Sequence, residues 1–189
     1  LIRSPSPEPG GGTRNRVRII AGRFRGRVLR FPDLPGLRPT PDRVRETLFN
    51  WLGQRLDGLR CLDAFAGSGA LGFEAASRGA AQVVLTETQP QALAALRANA
   101  RLMEGADLQV LAVDGLAYMA GACGRFDVIF LDPPFASGLL PVALAGAATR
   151  LAPGGRIYAE FGERPDLGAW RVSREGRAGQ SRFVLLELA

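Results

Sequence analysis

The stretch Leu59-Arg-Cys-Leu-Asp63-Ala-Phe65-Ala-Gly67-Ser68-Gly69-Ala-Leu-Gly72 decides the fold. An apolar run ends on an acid, glycines follow at 67, 69 and 72, and apolar residues then recur at helical spacing. Glycine there lets the backbone turn tightly and come close to a ligand, so the stretch predicts a strand, a ligand-binding loop and a helix in that order. Downstream, short apolar runs keep alternating with helical ones, which argues for a parallel sheet covered on both faces. Strands are expected over 59–62, 82–87, 108–112, 126–131 and 155–161, with helices over 71–77, 90–103, 116–120 and 139–151 between them. Two further strand-like runs, 170–173 and 182–188, follow without a helix and fit an antiparallel pair at the sheet edge. The expected class is α/β: a doubly wound, mostly parallel seven-stranded sheet with an antiparallel edge strand.

The glycine loop suits a nucleotide-type cofactor. Gly67, Gly69 and Gly72 satisfy the dinucleotide spacing G-x-G-x-x-G, and Glu87 lies twenty residues after Gly67, where a ribose-binding acid is expected. The glycines alone therefore leave both NAD and S-adenosylmethionine open. Asp63, at the strand end, is placed to meet a cationic ammonium group, which favours S-adenosylmethionine. Phe65 and Ser68 lie within the same loop, and Asp114, after the third strand of the sheet, is placed to accept from an adenine amino group or to cap the helix that follows.

A second signal is Asp132-Pro133-Pro134-Phe135, directly after the apolar run 126–131. An exocyclic nucleobase nitrogen is a poor nucleophile because its lone pair is delocalised, so an enzyme must hold its N–H bonds and aim the lone pair. Asp132 offers a carboxylate and Pro133 a backbone carbonyl, while the paired prolines fix φ and remove two donors. Phe135 offers a face for base stacking. The segment has no role in hydride transfer, which again favours S-adenosylmethionine over NAD. The plain alternative is a proline turn closing a buried strand.

All 24 basic residues are arginine, and they are unevenly placed. Residues 1–60 hold 13 arginines against 5 acids, a net of +8, whereas residues 61–189 hold 11 against 13, a net of −2. Seven arginines fall between Arg14 and Arg30 with no acid among them, interleaved with apolar residues. That pattern predicts a small basic β-hairpin, strands 17–20 and 27–31, that projects from the main domain and contacts phosphates. Arg18, Arg23, Arg25 and Arg27 are its candidate contacts, joined by Arg38, Arg43 and Arg45 around the next helix. That helix is expected to begin with Thr40 as N-cap and Pro41 at its first position, and to run to about 56.

Length and composition bound the rest. With 189 residues and 47% hydrophobic content, the chain suits one core with an N-terminal extension. The expected division is a disordered tail over 1–15, a hairpin-and-helix extension over 16–56 and the cofactor domain over 57–189. The absence of Met at position 1 points to a fragment or a processed start. No apolar stretch approaches the roughly 20 residues needed to cross a bilayer, so a soluble cytoplasmic protein is expected. Cys61 and Cys123 have no metal-ligand spacing and read as ordinary thiols, so no metal is expected. The chain contains no histidine, which excludes a histidine base.

Taken together, Arg18-Ile-Ile-Ala-Gly-Arg-Phe-Arg-Gly-Arg27, Gly36-Leu-Arg-Pro-Thr40, Asp42-Arg-Val-Arg-Glu-Thr-Leu-Phe-Asn-Trp-Leu52, the glycine loop and Val128-Ile-Phe-Leu-Asp-Pro-Pro-Phe135 resemble the bacterial RsmD family. The resemblance runs over about 18–188, with the segment around Arg43 its specific part. It implies a Rossmann-like class I methyltransferase that uses S-adenosylmethionine to methylate guanine N2 in 16S ribosomal RNA, within a small-subunit assembly particle. Asp63, Gly67 and Gly69 then match the cofactor loop, Glu87 the ribose acid, and Asp132 to Phe135 the target-amino site. The chain departs from the family at Thr88-Gln-Pro90 and in lacking a tyrosine in Gln180-Ser-Arg-Phe183. The rival readings are an adenine-N6 methyltransferase, a glutamine-side-chain methyltransferase, a non-catalytic RNA-binding assembly factor and an NAD-dependent oxidoreductase.

Overall fold

The computed structural model describes residues 15–122, 124–134 and 137–189. Phe135, Cys123 and all but the last residue of the expected tail 1–15 lie outside the described residues.

Strands β1 (Arg16–Arg18) and β2 (Val28–Arg30) pair antiparallel as the hairpin, followed by helix α1 (Asp42–Trp51). The sheet comprises β3 (Arg60–Asp63), β4 (Gln82–Glu87), β5 (Leu108–Ala112), β6 (Phe126–Leu131), β7 (Leu151–Phe161), β8 (Trp170–Ala178) and β9 (Ser181–Leu188). Helices α2 (Ala70–Ser77), α3 (Pro90–Arg101), α4 (Gly115–Ala120) and α5 (Leu140–Arg150) connect its first five strands. Strand order is β5-β4-β3-β6-β7-β9-β8, parallel from β5 to β7 and antiparallel over the last two pairs. The chain moves outward from β3 to β5, then returns to place β6 on the other side of β3. That reversal opens a crevice beyond the carboxyl ends of β3 and β6, where ligands bind in sheets of this type. Asp63 ends β3 and Asp132 follows β6 directly.

Alternation along the strands sorts the core into two layers. Cys61, Val83, Leu85, Val128, Phe130 and Tyr158 face one way and pack with α1, α2 and the hairpin, whereas Leu62, Val84, Ile129 and Ile157 face α4 and α5.

Three expectations need correction. The hairpin does not project: Val17, Ile19, Phe24 and Leu29 are buried, and its loop is bound to the end of α2. Arg23 N–H donates to the Ser77 carbonyl at 2.7 Å and Phe24 N–H to Ser77 Oγ at 3.0 Å. Gly22 (φ +84) is required there, since a Cβ would lie 1.8 Å from the Ser77 oxygen. Thr40 does not cap α1; Pro41 occupies that position without a side-chain cap, and the helix ends at Trp51, where Gly53 and Gln54 turn with positive φ. Strand β7 begins at Leu151, not 155, because Leu151 pairs with Phe126 ahead of a bulge.

Candidate active site

The glycine loop emerges from β3 with several of its amides already in use. Asp63 Oδ2 accepts from Gly72 N–H at 2.9 Å, Glu87 Oε2 from Gly67 N–H at 3.0 Å, and Ser68 Oγ from Ala70 N–H at 3.3 Å. The other Glu87 oxygen accepts from Thr88 N–H and Gln89 N–H at 2.7 and 2.8 Å. Asp114 caps α4 through Ala117 N–H at 2.9 Å and also lines the cleft. The glycines divide by purpose. A Cβ at Gly69 (φ +78) would meet the Phe73 ring of α2 at 2.3 Å and Leu96 of α3 at 2.7 Å, and one at Gly72 would meet the Leu85 side chain of β4 at 2.8 Å, so Gly69 serves helix–helix and Gly72 helix–strand packing. At Gly67 (φ +50) the neighbour is Leu37 at 2.9 Å, because the linker between hairpin and α1 lies over the loop.

Together these elements enclose a cavity of about 710 Å³ whose wall includes Asp63, Phe65, Glu87, Asp114, Asp132 and Pro133. Asp63 is 2% exposed, and burial, with a smaller push from the Glu87 charge, raises its carboxyl to about 7 against the pull of Gly72 N–H. Asp132 is raised to about 8, by burial first, then by the charges of Glu160 and Asp63. The Pro134 carbonyl is tied into the turn, accepting from Ser137 N–H at 2.9 Å and Ser137 Oγ at 2.5 Å, which leaves Pro133 as the backbone acceptor beside Asp132.

Glu160, in the same cavity wall, is absent from the sequence-based candidates. Leu131 pairs with Ala159 across β6 and β7, so Asp132 and Glu160 continue the register side by side. Tyr158 Oη donates to Glu160 Oε2 at 3.0 Å. Burial raises the Glu160 carboxyl while the Tyr158 and Ser181 hydroxyls oppose the rise, and burial beside these acids lifts the Tyr158 hydroxyl well above its usual range. The signal that would have found Glu160 is its place at the carboxyl end of the strand next to β6.

The arginines separate into surface and interior. Arg18, Arg23, Arg25, Arg27, Arg38 and Arg43 are exposed, with Arg23 and Arg27 lying 5.1 and 5.3 Å from the Phe24 ring centre and Arg38 on the cavity wall. Arg45 is a correction: it is fully buried and cannot meet a phosphate. Its guanidinium donates to Glu74 at 3.3 Å, Asp42 at 2.5 Å, and the carbonyls of Thr40 and Arg18 at 3.2 and 3.1 Å. Glu74, also fully buried, accepts in addition from Arg78 and from the Ile20 and Ala21 amides, which fastens the hairpin to α2.

Burial raises the Cys61 thiol to about 12, so it is no nucleophile. Among the described residues, no group of three or more acidic, cysteine or histidine side chains is placed to hold a metal ion, and no helix is long and apolar enough to cross a membrane.

A family model described as "Conserved hypothetical protein 95" matches residues 17–187. The chain is 39% identical over 186 residues to "Ribosomal RNA small subunit methyltransferase D" of Escherichia coli, covering 95% of this chain and 94% of the relative. A protein of the same name from Haemophilus influenzae is 42% identical over 180 residues, 90% of this chain and 93% of its own. The solved structure "Putative methyltransferase yhhF from Escherichia coli" superposes with a TM-score of 0.83 at 39% identity, covering 92% of this chain and 98% of that one.

Proposed function

Because the chain belongs to the RsmD family of ribosomal RNA small subunit methyltransferases, we propose that it methylates N2 of a guanine in 16S ribosomal RNA, using S-adenosylmethionine. The observation that carries this reading is the presence of Asp132 and Pro133 in one cavity with Asp63 and the glycine loop.

The donor set suits this cofactor. Asp63 is a buried acid for an ammonium group, Glu87 stands beside the loop for ribose hydroxyls, and Asp114 faces the cleft for an adenine amino group. A dinucleotide fits poorly. Its diphosphate needs free amides at the start of α2, and those of Gly67, Ala70 and Gly72 already bond to Glu87, Ser68 and Asp63. When bound, S-adenosylmethionine supplies a methyl group already activated for transfer.

The chain's own contribution is orientation. Asp132 and the Pro133 carbonyl accept the two amino hydrogens and so aim the N2 lone pair. Holding reactants in line can contribute about 7–11 kcal/mol, enough to make a covalent intermediate unnecessary. As N2 gains the methyl group, its surplus proton leaves through Asp132 or water. The exposed arginines of the hairpin, with Arg38 at the cavity and Arg43 on α1, supply the positive charge for the RNA backbone of an assembling small subunit.

The test is mass spectrometry of small-subunit RNA nucleosides from a strain lacking the gene. One N2-methylguanosine is expected to disappear and to return when the gene is restored; an unchanged nucleoside profile would contradict the reading.

A further inference from the structure

Asp132 and Glu160 continue neighbouring parallel strands, which lie about 4.8 Å apart, and both line the cavity. Two carboxyls this close, one buried and one half-buried, do not ionise together readily, so the groups around them decide which one carries the charge. Tyr158 Oη–H donates to Glu160 at 3.0 Å, and Ser181 also favours the charged form of Glu160. Glu160 is thus the member of the pair held as an acceptor, and it lines the cavity where a ligand would meet it.

The edge of a flipped base supplies the complement. Guanine presents N1–H beside its N2 amino group, two adjacent donors, whereas adenine presents an amino donor beside a bare N1 acceptor. Side-by-side acceptors match guanine and oppose the adenine lone pair. We propose that Glu160 accepts N1–H of the target guanine while Asp132 accepts from N2, so that Glu160 sets the choice of guanine over adenine. This inference rests on the guanine-N2 reading above. A site built to bond a substrate N–H rejects an analogue lacking it by orders of magnitude, because a buried acceptor is then left unpaired.

The test compares ribosomal RNA substrates carrying, at the position the wild-type protein methylates, either guanosine or 2,6-diaminopurine riboside. The analogue keeps the N2 amino group but replaces N1–H with an acceptor. Wild type should methylate it about 100-fold or more slowly than guanine; comparable rates would overturn the proposal without any variant. Glu160→Gln should lower kcat/KM on guanine and narrow the guanine preference at least tenfold, because a glutamine amide can donate to the bare N1. Its S-adenosylmethionine affinity should stay within about threefold of wild type. A slower variant with an unchanged preference would assign Glu160 a merely structural role and overturn the proposal. Should the variant fail to fold, the wild-type comparison decides alone. Absence of N2-methylguanosine from the wild-type reaction on guanosine would sink the guanine-N2 reading itself, before any analogue is compared.

Discussion

Two carboxyls, the buried Asp63 and the half-buried Asp132, set the pH behaviour of the site. Asp63 is held near 7 chiefly by burial, so below that pH a cationic ligand must displace a proton to bind. S-adenosylmethionine affinity should therefore weaken as pH falls from 7 to 5, and calorimetry at pH 6 in two buffers of different ionisation enthalpy should detect proton release; identical heats would contradict this. Asp63→Asn keeps an acceptor for Gly72 N–H but loses the charge, and should cost about 1.5–3 kcal/mol of cofactor binding, roughly 10- to 150-fold. Asp132, raised to about 8 by burial and then by Glu160 and Asp63, gains its full acceptor capacity only as it ionises. Single-turnover methyl transfer should rise with pH, be half-maximal near 8 and level off about one unit above that, and a flat profile from pH 6 to 9 would count against Asp132 as the acceptor. Both acids are legible in the sequence because each stands between an apolar run and a glycine or proline segment. Glu160 is less marked, since it stands inside the strand-like run 155–161 rather than directly after one, although β7 follows β6 in the chain as well as in the sheet. Arg45 did carry a readable signal: it is in helical phase with the buried Leu48 and Leu52.

The hairpin joins two tasks in one element, and its faces separate them. Its apolar face and loop amides dock on α2 through Glu74, whereas its arginine side chains reach solvent. Changing Arg18, Arg23, Arg25 and Arg27 to Gln should leave the fold and cofactor affinity in place while reducing the slope of log K for RNA against log salt by about 3–4 units. A reduction below about one unit would move the RNA contact to Arg38 and Arg43. Glu74→Ala should act in the opposite sense. It takes from buried Arg78 its carboxylate and leaves buried Arg45 with Asp42 alone, with an expected loss of about 3–5 kcal/mol in denaturant unfolding; a loss under 1 kcal/mol would show that water or another group replaces the carboxylate. Local sequence reveals the hairpin's strands and charge, but its docking depends on an acid more than fifty residues away in a helix of mostly small apolar residues. Nothing local distinguishes that acid from a solvated one.

At the scale of the molecule, sheet order turns separate motifs into one site. Because β3 and β6 are neighbours at the point where the winding reverses, residues 63 and 132 share a cavity despite their separation in the chain. The fold class and the strand directions were readable from the alternation of strand and helix; the cavity's composition was not, because it also draws on the linker over the glycine loop and on β7 and β9. The central claim is that this cavity holds a base amino group against Asp132 for methyl transfer. Incubating the purified protein with methyl-labelled S-adenosylmethionine and small-subunit particles from a strain lacking the gene, then identifying the labelled nucleoside, tests it most directly. The account predicts N2-methylguanosine with wild type and none with Asp132→Ala, whose cofactor affinity stays within a few-fold. Label in N6-methyladenosine, or full activity in Asp132→Ala, would contradict it.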